Sequence, residues 1–214
     1  MAISFVYYLV SRSRVSPAYR SAVTMSAMIC GIAAYHYWRM FSNFSDGAPW
    51  NEGYRYADWL LTVPLLVAEL VAVSGIAKDK VKGVTTKLAV AAVLMIAFGY
   101  PGEIATDIPT RVLWGTLSAI LFVYIMWQLF AGLGASINNQ PENVRELVKK
   151  ARLLTFASWG FYPIVYMIPY TNLSGSDVTV GVQVGYTIAD LIAKAGVGVL
   201  IYMIAVRKSQ AEYG

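Results

Sequence analysis

Apolar runs recur along the chain at roughly 1–11, 21–41, 55–76, 85–100, 110–135, 151–170 and 181–206, parted by turn-rich or charged stretches such as SNFSDGAPWNEGY, AKDKVKG and TNLSGSDVT. Each spanning run is too long for a strand, and backbone in lipid must satisfy its own hydrogen bonds, so the pattern predicts helices. A spanning helix needs about 20 apolar residues, so seven of them use about 140 positions and leave about 70 for loops and ends. Gln140-Pro141 followed by Glu142 fits a helix start, so the sixth helix is expected to begin around Glu142, ahead of its apolar stretch. The first run, Met1 to Val10, has only half the length needed to cross the hydrocarbon core. Residues missing upstream of this sequence are the favoured explanation; a truncated first helix stabilised by its neighbours is the other. No internal repeat or low-complexity segment interrupts the pattern. The expectation is an all-α membrane protein, a single seven-transmembrane-helix bundle over residues 1–214.

Composition narrows the class further. Of 214 residues, 57% are AVILMFWYC and 14% are charged, with a mean hydropathy of +0.54. That excludes a disordered chain and a soluble enzyme of ordinary composition. A single cysteine, Cys30, excludes a disulfide framework and reads as a buried small hydrophobe. The net charge of +5 could suggest nucleic acid, but the basic residues sit in clusters between apolar runs. Thirteen of the 17 Lys and Arg follow spans one, three and five or lie at the C-terminus; the others are Arg39, Arg55, Arg111 and Lys194. The positive-inside rule therefore places the C-terminus in the cytoplasm and the N-terminus outside. The expected partner is the lipid bilayer of the cell membrane, crossed several times, with no nucleic acid and no metal. No cleavable signal-peptide pattern is present, so insertion would use the spans themselves.

An ionisable side chain at bilayer depth costs several kcal/mol unless paired or hydrated, so each is a functional candidate. Five stand out: Arg55, Asp58 and Glu69 in the third span, Asp190 and Lys194 in the seventh, with His36 in the second as a possible sixth. Eleven positions separate Asp58 from Glu69, which returns within about 20° of the same face and advances about 16 Å. Thr62 lies between them, about 40° off Asp58. Asp190 and Lys194 are an i, i+4 pair, one turn apart on one face. Both spans run from outside inward, which sets Asp58 near mid-membrane, Glu69 near the cytoplasmic end and Arg55 one turn outward of Asp58. Lys194 admits two readings. It is either neutralised by Asp190 or Asp58 in a structural ion pair, or condensed with an aldehyde as a Schiff base whose positive charge needs carboxylate counterions.

Four segments carry a resemblance. Arg55-Tyr-Ala-Asp58-Trp59-Leu-Leu-Thr62-Val-Pro64-Leu-Leu-Val-Ala-Glu69 resembles helix three of the microbial rhodopsins, nearest to the proteorhodopsin and xanthorhodopsin pumps. Asp190-Leu-Ile-Ala-Lys194 resembles their helix seven, Trp159-Gly-Phe-Tyr162-Pro163 their helix six, and Ala34-Tyr-His36-Tyr their helix two. The resemblance implies that Lys194 binds all-trans retinal, with Asp58 as counterion and proton acceptor and Asp190 as second counterion. It further implies that Arg55 tunes both and that Glu69 returns a proton from the cytoplasmic side. The Asp58, Thr62, Glu69 set resembles that of outward proton pumps; chloride pumps lack the first carboxylate, and sensors often lack the last. Light-driven outward proton transport is therefore expected, with a photosensory receptor on the same chromophore as the alternative. A seven-helix protein without retinal is the third reading. Relatives form trimers, pentamers or hexamers, so a homo-oligomer is expected.

Other positions divide between packing and function. His36 reads as an ordinary satisfied histidine or, by resemblance, as a partner of Asp58. Tyr56, Trp59, Trp159, Tyr162, Tyr166 and Tyr186 could be plain helix packing. Trp59 and Trp159 are the favoured walls of a polyene slot, with Pro163 beside them, and Tyr162 and Tyr186 the favoured hydroxyl donors near Asp190. Leu66 occupies the family's colour-switch position and implies green absorption. Gly115 is either a close helix contact or, as in xanthorhodopsin-like pumps, a window for a carotenoid antenna. Glu103, Asp107, Asp46 and Glu52 read as solvated loop charges, one of which could help release protons.

Overall fold

The computed structural model describes residues 1–48, 51–138, 140–170 and 175–213. Their regular structure is helical, with no strand among them: α1 (Ala2–Ser11), α2 (Arg20–Ser45), α3 (Gly53–Val73), α4 (Lys78–Glu103), α5 (Ile108–Trp127), α6 (Gly134–Asn138), α7 (Glu142–Met167), α8 (Ser176–Asp190) and α9 (Val197–Tyr213). Wide π-turns at Gln128–Gly132 and Leu191–Gly196 carry α5 into α6 and α8 into α9. The nine segments therefore make seven passes. Sequential passes pack side by side, and the last returns to α2 and α7, closing the bundle around α3.

Among the described residues, four passes are long and apolar enough to cross a membrane on length and composition alone: Gly53–Val73, Lys78–Glu103, Ile108–Asn138 and Val178–Ala211. The surface agrees with a lipid environment. Ile120, Val123, Leu153 and Ile164 each expose about 60% of their area, whereas Arg55, Asp58, Glu69, Asp190 and Lys194 are 0–1% exposed. In water that distribution would be inside out; in lipid it buries every costly charge against protein. The sixth pass begins at Glu142, as its Pro-Glu start predicts. α4 starts at Lys78, ahead of its apolar run, because Asp79 in the first turn suits the positive end of the helix dipole.

Local chemistry explains several helix ends. Asp107 caps α5 by accepting the Thr110 amide at 2.8 Å, with Pro109 in the first turn. α3 ends at Gly75, whose φ of +79° suits the residue after a helix C-terminus. The carbonyls there are held from elsewhere: Gln140 donates to Ser74 at 2.7 Å and Lys208 to Val73 at 2.9 Å. Pro64 in α3 and Pro163 in α7 each remove one backbone donor beside the central charges.

Candidate functional site

Lys194 occupies the π-turn between α8 and α9 and points into the bundle, 1% exposed. Its ammonium pairs with Asp58 Oδ2 on α3 and with Asp190 Oδ2 at 2.9 Å. The two carboxylates are held very differently. Asp190 accepts from the Tyr162 hydroxyl, from Tyr37 at 2.8 Å and from Trp59 Nε1 at 3.0 Å. Asp58 has its lysine contact on one oxygen, and its Oδ1 is buried with no hydrogen-bond partner. Thr62 donates to the Asp58 carbonyl at 2.9 Å rather than to the carboxylate. One carboxylate is saturated and the other has a free acceptor.

Glu69 lies further along α3, 0% exposed, accepting the Ser26 hydroxyl at 2.6 Å on Oε2 and nothing on Oε1. No ion pair joins it to a cation among the described residues. Arg55 lies one helical turn from Asp58 on α3. It pairs with Glu52 at 2.6 Å, donates to Gln183 and lies 4.9 Å over the Tyr186 ring. Gln183 also donates to Glu52 at 2.7 Å, closing a three-residue ring of contacts.

Several sequence expectations need correction here. Glu52 and Glu103 are not solvated loop charges: their side chains are 17% and 5% exposed. The helices run further than the apolar pattern, so Glu52 caps α3, Glu103 ends α4, and both turn inward. Glu103 meets Arg111 at 3.4 Å and accepts from Tyr186 at the same distance. Tyr186 is thus a Glu103 donor, not an Asp190 donor; Tyr162 does reach Asp190. Asp46 and Asp107 are exposed, as expected. His36 makes no hydrogen bond to Asp58, although it lies within electrostatic reach of that carboxylate. Its Nδ1 lies 3.0 Å from the Ile32 carbonyl, and its ring meets Tyr35 edge-on. Tyr37 was missed: the neighbouring hydroxyl on α2 reaches Asp190 across 153 positions, which no local spacing announces.

A cavity of about 390 Å³ starts at Lys194 and Asp190 and runs between Trp59, Leu66, Trp159, Tyr162 and Pro163, with Tyr186 and Gly115 also on its walls. Its volume lies in the ~300–1,000 Å³ range of small-molecule sites. One buried amine and aromatic walls form a slot for a long apolar molecule with a reactive carbonyl at its tip. The buried, unpartnered Asp58 Oδ1 beside that amine fits the same group, since a cation formed there has a carboxylate ready to neutralise it. The cavity is also lined by Val112 and Met167, which expose 51% and 56% of their area. Gly115 has a packing reason: a Cβ there would stand 2.8 Å from the Tyr166 ring.

Comparison with known proteins accords with this geometry. A family model described as bacteriorhodopsin-like protein matches residues 1–208. A green-light absorbing proteorhodopsin of a gamma-proteobacterium is 30% identical over 209 residues, covering 96% of this chain and 82% of the relative. The solved structure of xanthorhodopsin, titled a light-driven ion pump with dual chromophore, superposes with a TM-score of 0.94 at 46% identity, covering 99% of this chain and 89% of that one. A thermophilic rhodopsin gives 0.93 at 43% identity, covering 98% and 89%. By sequence and by fold, the chain belongs to the bacteriorhodopsin-like family, the microbial type 1 rhodopsins, retinal-binding proteins that cross the cell membrane several times.

Proposed function

We propose that this chain is a light-driven proton pump moving protons from cytoplasm to outside, with Asp58 as acceptor, Glu69 as donor and residues 1–214 as one retinal-binding unit. Lys194 would hold retinal, with Trp59, Leu66, Trp159, Tyr162 and Pro163 lining its slot, and the bound group would supply light absorption and a change of shape. The observation that carries the reading is the inequality of the two counterions. Asp190 has its lone pairs filled by Tyr37, Trp59, Tyr162 and Lys194, whereas Asp58 keeps Oδ1 open. A proton leaving Lys194 Nζ therefore has one prepared destination, and Asp190 stays ionised to hold the charge balance.

Glu69 supplies the return. An ionised carboxylate buried with one hydroxyl and no cation costs several kcal/mol, so this pocket suits the neutral acid, a stored proton. About 16 Å of helix rise separates Glu69 from Asp58, which itself touches Lys194, so donor and acceptor stand at different depths in the bundle. The excess of Lys and Arg after spans one, three and five supports a cytoplasmic C-terminus, which sets the direction from Glu69 toward Asp58. Outward of Asp58, the Arg55–Glu52–Gln183 contacts, with Tyr186 leading to Glu103, offer a polar exit. Illumination of cells expressing the protein with retinal is expected to acidify the medium, and a protonophore to abolish the change. A coloured protein that moves no protons would point to the photosensory alternative and overturn the pump.

The cavity's reach to Val112 and Met167 favours a second chromophore at that edge. A carotenoid antenna beside Gly115 requires Tyr166 to turn out of the hollow it fills. Adding a hydroxylated carotenoid then produces its bands in the excitation spectrum; their absence would reject the antenna.

A further inference from the structure

Tyr8 has no part in the pathway above, yet it is among the most enclosed side chains in the molecule, 1% exposed on the shortest of the seven passes. Its hydroxyl donates to the Ala195 carbonyl at 2.6 Å, linking the first pass to the last across 187 positions. Ala195 follows Lys194 inside the π-turn Leu191–Gly196. The ring lies where α9 has no side chain: a Cβ on Gly198 would stand 2.8 Å from Tyr8 Cε2 and 2.9 Å from its Cζ and hydroxyl oxygen. Its neighbours Ala27 and Cys30 on α2 adjoin Ser26, the donor to Glu69, so the ring belongs to the Glu69 side of the lysine. Val15, Val23, Ala27, Cys30 and Ala205 enclose it in a small apolar cluster separate from the main core.

A π-turn closes over five residues instead of four, here by the Val197 amide reaching the Ile192 carbonyl. Such turns are locally loose, and side chains often complete their bonding. The lysine that must carry a proton between two carboxylates thus stands on the least regular stretch of its helix. We infer that Tyr8 is a positioning residue for Lys194: its hydroxyl anchors the Ala195 carbonyl so that the turn returns the lysine nitrogen toward Glu69 after its proton has gone to Asp58. This inference rests on the pump reading for its consequence, but the anchoring itself belongs to the protein without retinal.

Two variants test it. Tyr8→Phe keeps the ring and removes only the hydroxyl; Gly198→Ala keeps the hydroxyl and displaces the ring. Without retinal, amide hydrogen exchange over residues 191–199 is expected to quicken about fivefold in both, the worth of one neutral hydrogen bond, with exchange in α4 unchanged. With retinal, both are expected to keep the absorption maximum and the rise of the protonated Asp58 infrared band. Recovery of the dark absorption after a flash is expected to slow by a similar factor. Unchanged exchange would overturn the anchor. Faster exchange with unchanged recovery would reduce Tyr8 to packing and overturn the positioning role, as would equal slowing of both proton steps. A wild-type protein that moves no protons in light would instead sink the pump reading, and the exchange measurement would still decide the anchor.

Discussion

Among single side chains, the decisive contrast is between two carboxylates facing one amine. Removing Lys194 leaves Asp58 and Asp190 buried without their cation. Lys194→Met is therefore expected to cost about 3–5 kcal/mol, read as a fall in melting temperature. Adding Asp58→Asn should recover part of that loss, because one uncompensated charge goes with it. In the protein with retinal, Asp58→Asn is expected to leave a coloured protein whose light-driven acidification falls at least about a hundredfold, the usual worth of a placed proton acceptor. Leu66, 2% exposed on the cavity wall, tests colour: Leu66→Gln puts a dipole beside the polyene and should move absorption toward the blue. An unmoved maximum would show that the slot does not hold the chromophore against Leu66.

At the level of helices, the ends and irregular turns determine where the charges stand. The Thr110 amide holds the Asp107 carboxyl below its usual value of 3.8 at the start of α5. Because the folded value is the lower one, this contribution to stability is complete above pH about 4 and disappears as pH falls through the depressed value. Asp107→Ala is expected to lose both the protection of the Thr110 amide in hydrogen exchange and its dependence on pH in that range. Gly75 tests the end of α3. Gly75→Ala meets an unfavourable φ of +79° and the Gln140 side chain at 2.8 Å, so a loss of about 1–2 kcal/mol is expected. Its effect should fall on the segment that carries Glu69 rather than on the retinal slot.

The assembled bundle is proposed to be sided, with a polar exit beyond Asp58 and a proton store at Glu69. Right-side-out vesicles are expected to acidify their surroundings in light, and inverted vesicles their lumen, with a C-terminal tag cleaved by protease only in the inverted ones. Tag cleavage in the right-side-out vesicles would overturn the topology, and acidification of their lumen with the tag protected would overturn the direction of transport.

Much of this was readable along the chain. Six of the seven passes, the start at Glu142 and the central charges all follow from local cost: apolar length in lipid, and the penalty for an unpaired ion at that depth. The spacing of Asp58, Thr62 and Glu69, and of Asp190 and Lys194, follows from helix geometry alone. Which oxygen of which carboxylate stays open does not, because it depends on Tyr37, Trp59 and Tyr162 arriving from three different helices. The inward turn of Glu52 and Glu103 was equally hidden, since a charge just past an apolar run looks the same whether it faces water or a neighbouring arginine. His36 and Tyr37 differ by one position, and only packing chose the hydroxyl for Asp190. Periodicity determines what each helix must bury; it carries no information about the rotation and height at which the next helix meets it, and at this site those two quantities decide where a proton can go.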